Sequence, residues 1–260
     1  MPEMWSEGCS SKGCSVLSEN VPRMRNRNGS GIAMNPQKNT YPHLFGPVPS
    51  RRLGLSLGVD LVPFKTCTYD CIYCQLGKTT DKTIERREFA PKEVLLEEIT
   101  GKLAEKTAVD YITLSGSGEP SLYSDMKDLI VGIKKLTDKP VAVLTNGSLL
   151  WDREVADSIM TADLVVPSLD AGNEDIFRNV NRPYRELSFR KVVDGLIRFS
   201  EQSKSAVWLE VFLLGGITSS KAEVNRIKEI INKIKPDKVQ LNTVKRPPAE
   251  TWARAVSEQK

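Results

Sequence analysis

From Leu57 onward the chain alternates short apolar runs with longer segments of helical period. Six such runs occur: SLGVDLV, VDYITLSG, PVAVLTNG, ADLVVPSLD, AVWLEVFLLGG and KVQLNTV. Each is rich in β-branched or aliphatic residues, and most end in Gly, Ser, Asn or Asp, which predicts strands whose carboxyl ends open into polar loops. Amphipathic helices are predicted between them. Leu95, Ile99 and Leu103 recur every fourth residue after Pro91, and Met126, Leu129, Ile130 and Ile133 share one face. Phe189, Val192, Val193, Leu196 and Ile197 form a stripe behind the cap Ser188, and Val224, Ile227, Ile231 and Ile234 form one before Pro236. These stripes are read as packing on the sheet.

Strand–helix alternation of this kind implies βα units around a parallel sheet, either an open, partial β/α barrel or a doubly wound sheet. In both, ligands bind at the carboxyl ends of the strands. Residues 1 to 40 break the pattern. They carry almost no apolar periodicity and are filled with Ser, Asn, Gly, Arg and Pro, so a disordered extension is expected there. Met34 stands beside Met1 as a candidate start. The division expected is an extension over 1–40, a core domain over 41–248 and a tail over 249–260.

Composition narrows the function classes. A chain of 260 residues with 40% hydrophobic residues suits one domain or at most two small ones. The net charge of +4 is a mild excess, so nucleic acid is permitted but not indicated. No stretch approaches the roughly 18 to 20 apolar residues that span a bilayer, and the N-terminus lacks the order of a secretory signal. A cytoplasmic protein is expected. In a reducing compartment, clustered thiols read as metal ligands or catalysts rather than disulfides.

Three of the five cysteines, Cys67, Cys71 and Cys74, fall together in FKTCTYDCIYCQLG, directly after the first predicted strand. Three thiolates satisfy three corners of an iron-sulfur cube and leave the fourth iron open to a substrate or cofactor. Burial as small hydrophobes is the bland alternative, although so polar a loop is poor core material. Zinc is the stronger competitor. It needs a fourth ligand, and the one histidine, His43, lies upstream in a Pro-rich stretch.

CTYDCIYC fits the CxxxCxxC signature of the radical S-adenosylmethionine (SAM) superfamily, with the aromatic Tyr73 directly before the third cysteine. GSGEP at 116 to 120 resembles that family's Gly-Gly-Glu-type motif, TNG at 145 to 147 its strand-three motif, and SLD at 168 to 170 its strand-four motif. The resemblance covers about residues 44 to 248. More narrowly, FGPVPSRRLGLSLGVDLVPFKTC, SLDAGNEDIFRNVNRP and VQLNTVKRPP resemble compact iron-sulfur oxidoreductases grouped with the wyosine-synthetase enzymes of tRNA modification.

This resemblance implies a partial (βα)6 barrel of the radical SAM type. It also implies a 4Fe-4S cluster on Cys67, Cys71 and Cys74, with SAM chelated at the open iron beside Tyr73. Glu119 would accept from the SAM amino group, while Gly116 and Gly118 let the backbone approach the methionyl moiety. Ser117 departs from the usual Gly and either adds a donor or faces solvent. A surface ion pair is the bland alternative for Glu119. Thr145, Asn146, Ser168 and Asp170, at successive strand ends, would bond the ribose or the methionyl carboxylate; Asn146-Gly147 as a turn and Ser168 as a helix cap are the alternatives.

Arg182 would neutralise the SAM carboxylate or else be a solvated loop charge. Arg51, Arg52, Lys65, Lys245 and Arg246 are candidates for lining the substrate mouth. A reductant such as a flavodoxin or ferredoxin is implied, with RNA, a peptide or a small metabolite as substrate. Cys9 and Cys14 are too few for the second cluster of the wyosine enzymes. A glycyl-radical activase, and a non-catalytic iron-sulfur or zinc protein, remain as other readings.

Overall fold

A computed structural model describes residues 40–257; the extension with Cys9, Cys14 and Met34, and residues 258–260, lie outside the described residues. The chain begins with β1 (Leu44–Ser50) and β2 (Gly54–Val59), then the short strands β3 (Thr66–Cys67) and β4 (Asp81–Lys82). There follow α1 (Lys92–Ala104), β5 (Tyr111–Leu114), α2 (Met126–Leu136), β6 (Val141–Thr145) and α3 (Arg153–Ile159). The last part comprises β7 (Leu164–Pro167), α4 (Glu174–Val180), α5 (Phe189–Gln202), β8 (Ala206–Leu213), α6 (Lys221–Ile234) and β9 (Lys238–Thr243).

The main sheet runs β1-β2-β5-β6-β7-β8-β9, and all pairs but β1–β2 are parallel. Each parallel strand therefore lies beside the one before it in sequence. Such a singly wound order has no switch point, which distinguishes the open, curled half-barrel from a doubly wound sheet. The six parallel strands correspond to the six apolar runs. The antiparallel edge strand β1 is an addition, because LFGPVPS has neither alternation nor a β-branched run to announce it.

Alternation along the strands sorts the two faces. Ile112, Leu114, Val141, Val143, Val165, Val207, Leu209 and Val211 join the large core with the helices. Their neighbours Ala142, Leu164 and Val166 form a separate inner cluster with Leu53, against which Tyr111, Leu144, Ala206 and Trp208 pack. The inner face is also polar: Ser56 and Thr113 share a hydroxyl hydrogen bond of 2.5 Å, and Arg52 donates to Glu210 and, at 3.0 Å, to Gln240. The predicted cap Ser188 forms, its Oγ accepting from the Lys191 amide at 3.3 Å, and Ser220, which the sequence reading did not single out, caps α6 in the same way through the Glu223 amide at 3.3 Å. The helices α3 and α4, seven residues each, are too short to leave a stripe in the sequence.

The segment expected as a separate tail packs back on the core. Ala253 is buried with Ile72, Val180 and Leu214, and the Glu250 amide donates to the Ile72 carbonyl at 2.9 Å. Among the described residues no helix is long and apolar enough to cross a membrane.

Leu129 of α2 is fully buried, whereas Val131 on the same helix is 38% exposed. Leu129→Ala should cost about 2–5 kcal/mol through transfer loss and cavity formation, and Val131→Ala within about 0.5 kcal/mol. Urea unfolding of both variants checks the assignment of the helix face.

Candidate active site

The cysteine loop is pinned by the residues between its thiols. Tyr69 and Ile72 are buried, Tyr69 standing edge-on to Phe177 at 5.4 Å between ring centroids. The amides of Asp70 and Ile72 donate to the carbonyls of Asn181 and Val180 at 3.0 Å each. Thr79 closes the loop, its amide donating to Asp70 Oδ1 at 2.8 Å and its hydroxyl to the Tyr69 carbonyl at 2.7 Å. With the intervening side chains drawn inward, Cys67, Cys71 and Cys74 stay half-buried with free thiols.

Each sulfur has a side-chain N–H donor. Lys65 Nζ donates to Cys74 Sγ at 3.2 Å, Asn146 Nδ2 lies 3.7 Å from Cys67 Sγ, and Asn181 Nδ2 lies 3.6 Å from Cys71 Sγ. Burial pushes the Cys67 thiol up to about 12, with the Glu119 carboxylate adding to it, and burial also raises Cys71. Thiolates in this setting need the positive charge of a metal core. Among the described residues no three His, Cys, Asp or Glu stand at the spacing of a single-ion site. His43 is taken elsewhere, its Nδ1 2.7 Å from Glu98 of α1. Three free thiols, each with an N–H donor, and a lone histidine already engaged by Glu98 fit an iron-sulfur cluster.

The Gly-Ser-Gly-Glu segment abuts this loop. A Cβ on Gly118 would sit 1.9 Å from the Thr66 carbonyl oxygen, so glycine there admits the cysteine loop itself. On its Cβ side Gly118 thus meets backbone, while the residue also lines the cavity described below. Gly116, at φ +140°, has the Asp60 side chain 2.7 Å from where its Cβ would be. Ser117 is a donor rather than solvent-facing: its hydroxyl and, at 3.0 Å, its amide bond the Asp60 carboxylate.

Glu119 is buried, not a surface ion pair. Its Oε1 accepts from Thr145 Oγ1 at 2.6 Å and the Ser121 amide at 3.0 Å, and its Oε2 from the Asn146 amide at 2.7 Å. Burial raises its pKa against the lowering effect of these donors. Of roughly four acceptor positions on a carboxylate, three are used here. Asn146 makes the turn, its Oδ1 accepting from the Ser148 amide, while its Nδ2 donates to Thr68 Oγ1 at 2.7 Å.

Asp170 forms a second buried node. It accepts from the Tyr73 hydroxyl, from Asn181 Nδ2 at 2.9 Å and from the Phe212 amide at 3.1 Å. Its oxygens face these donors instead of an open ribose site, and burial lifts its pKa to about 6. Tyr73 stacks on Phe212 with centroids 4.1 Å apart. Ser168 is half-buried and does not cap α4, a role filled by Asn173. Arg182, at φ +47°, gives Nη1 to Glu250 at 2.7 Å and so braces the loop against the C-terminal segment.

A cavity of about 700 Å3 opens within the half-barrel, lined by Cys67, Tyr73, Cys74 and residues 116–118. Arg51, Arg52, Lys65, Lys245 and Arg246 all line it as well, so the sequence-predicted basic residues converge. The model for the radical SAM superfamily matches residues 61–238. The chain belongs to the radical SAM superfamily. Radical SAM enzymes use a 4Fe-4S cluster and SAM, and these are the cofactors of this enzyme.

A protein named GTPase Obg from Brachyspira hyodysenteriae is 48% identical over 83% of this chain, which spans 32% of that relative. The UPF0026 protein of Methanocaldococcus jannaschii is 40% identical over 81% of this chain and 66% of its own length. The chain thus spans 32% and 66% of the length of these two relatives. A solved structure of TYW1 with a lysine-pyruvate adduct bound shares the fold at a TM-score of 0.56 and 18% identity, covering 72% of this chain and 64% of that one.

Sequence reasoning overlooked Asp60, Thr68, Asn181, Glu210 and Glu250. Glu210 had a signal, a charge inside the apolar run AVWLEVFLL, and Asn181 stood beside the arginine of NRP. Thr68 and Glu250 had none.

The Asp170 pKa generates a pH dependence. Between its ordinary 3.8 and about 6 the folded state holds a proton that the unfolded state lacks, so this group's contribution to stability is present at low pH and lost as pH rises through 6. Wild type should therefore gain on Asp170→Asn by about 2–3 kcal/mol between pH 7 and pH 4. Denaturant unfolding across that range gives the difference, and a pH-independent gap would contradict the assignment.

Proposed function

We propose that this radical SAM enzyme cleaves SAM reductively at a cluster held by Cys67, Cys71 and Cys74. The observation that carries the reading is that two of these thiols face a cavity at the carboxyl ends of the strands, beside Tyr73 and the Gly-Ser-Gly segment. Bound together, a reduced 4Fe-4S cluster and SAM supply methionine and a 5′-deoxyadenosyl radical, which takes hydrogen from a substrate carbon.

The chain's own residues do the rest. Cys67, Cys71 and Cys74 would hold the cluster through three thiolates, leaving it able to bind SAM. Lys65, Asn146 and Asn181 donate to the three sulfurs, stabilising negative charge there and raising the reduction potential. Glu119 offers its remaining acceptor position to the SAM ammonium. Asp170 acts at one remove, holding Tyr73 and Asn181 in place. Arg182 is committed to Glu250, and we assign it to bracing the loop rather than to the SAM carboxylate. Flavodoxin- or ferredoxin-type donors supply the electron.

Protein reconstituted anaerobically with iron and sulfide, then given dithionite and SAM, should form 5′-deoxyadenosine measurable by mass spectrometry. Cys71→Ala should lose both the cluster absorbance and the product. Glu119→Gln should keep the cluster and weaken SAM binding by about 10-fold or more, as expected on removing a charge-assisted hydrogen bond. Unaltered SAM affinity in that variant rules out the role given to Glu119.

A further inference from the structure

The cavity is more basic than its cofactors require. Six basic side chains line it, Arg51, Arg52, Lys65, Lys238, Lys245 and Arg246, against the single carboxylate of Glu210. A 2+ cubane core on three thiolates has one net negative charge and SAM one net positive charge, so the two nearly cancel. The basic excess is left for something else.

The excess has a definite location. Arg51 and Arg52 precede β2 and Lys238 opens β9, at the amino ends of parallel strands, whereas the thiols lie at the carboxyl ends. Arg52 Nη1 holds Glu210 and Gln240 Oε1, tying the beginning of the sheet to β8 and β9. This orients the Gln240 amide and leaves its Nε2 as a buried donor with no partner among the described residues, on a side chain only 6% exposed that lines the cavity. Buried donors are rarely left unpaired, and one beside cations calls for an anionic acceptor. Lys238 Nζ, 4.6 Å from the Trp208 ring centroid, stands two residues along the same strand face.

We propose that Gln240, Arg51, Arg52 and Lys238 form a subsite for the phosphate monoester of a small-molecule substrate, a proposal that rests on the radical SAM reading above. Three cations less one carboxylate leave two positive charges, matching the charge of about −1.5 to −2 on a phosphate monoester and exceeding that of a carboxylate. Arginine forks suit phosphate oxygens, and Gln240 Nε2 supplies a neutral donor to the same group. A cavity of about 700 Å3 is of small-ligand size. The phosphate would anchor the far end of the substrate while its reacting carbon points toward the thiols.

The test is equilibrium dialysis of the cluster-loaded protein against labelled inorganic phosphate, with labelled SAM measured on the same sample. Wild type should bind phosphate, and Arg51→Gln and Gln240→Leu should each weaken it about 10-fold or more, while the exposed off-site control Arg153→Gln should not. Arg51 is exposed, so its variant remains informative if Gln240→Leu unfolds. No phosphate binding, or equal loss in all three variants, overturns the subsite. SAM bound without phosphate overturns the subsite alone; phosphate bound without SAM overturns the cofactor reading alone. Competition by adenosine monophosphate supports a small phosphate ester, whereas displacement at lower concentration by a 5′-phosphorylated oligonucleotide overturns the small-molecule assignment in favour of a nucleic-acid end.

Discussion

The cysteine loop and the end of β5 meet backbone to backbone. The Lys65 amide donates to the Ser117 carbonyl at 2.8 Å and the Glu119 amide to the Thr66 carbonyl at 3.1 Å. Nothing larger than glycine fits at position 118 beneath that second carbonyl. The junction fixes Cys67 in register with the sheet and simultaneously aims the Glu119 side chain at Thr145 and Asn146 of the next strand. Cluster loop, carboxylate and strand-three motif are thus one construction, with Asn146 returning a donor to Cys67.

The polar groups around the thiols are arranged to make burial tolerable. Glu119 and Asp170 are both buried carboxylates, each with three donors, and burial still raises both pKa values. Isolated charges in such places would be strongly destabilising. Paired as they are, they act as fixed acceptors that lock side-chain amides and a phenol in single orientations. The rigidity of the site comes from these nodes, and the apolar helices supply only the platform beneath them.

Much of this was readable before folding. Strand runs and helix stripes were visible because period 2 and period 3.6 leave direct marks, and the three thiols because their spacing has few other uses. The motif residues gather around the cysteine loop, whereas the partners they bond there have no mark in the sequence. Gly118 looks like a ligand cradle in sequence, and its neighbour proves to be Thr66, a contact formed only by the return of the loop. Asp170 and Arg182 likewise turn toward Asn181 and Glu250, partners brought by long-range packing. The edge strand β1 escaped notice because LFGPVPS owes its conformation to pairing with β2 rather than to its own composition.

The junction between Thr66 and Glu119 also sets an order of assembly. Its two sides lie far apart along the chain and follow the neighbouring strands β2 and β5, so the loop gains its seat only after these have paired. Contacts of such sequence separation form late, after their loop-closure entropy has been met. The seat of Cys67 therefore depends on the paired strands rather than on the loop's own residues.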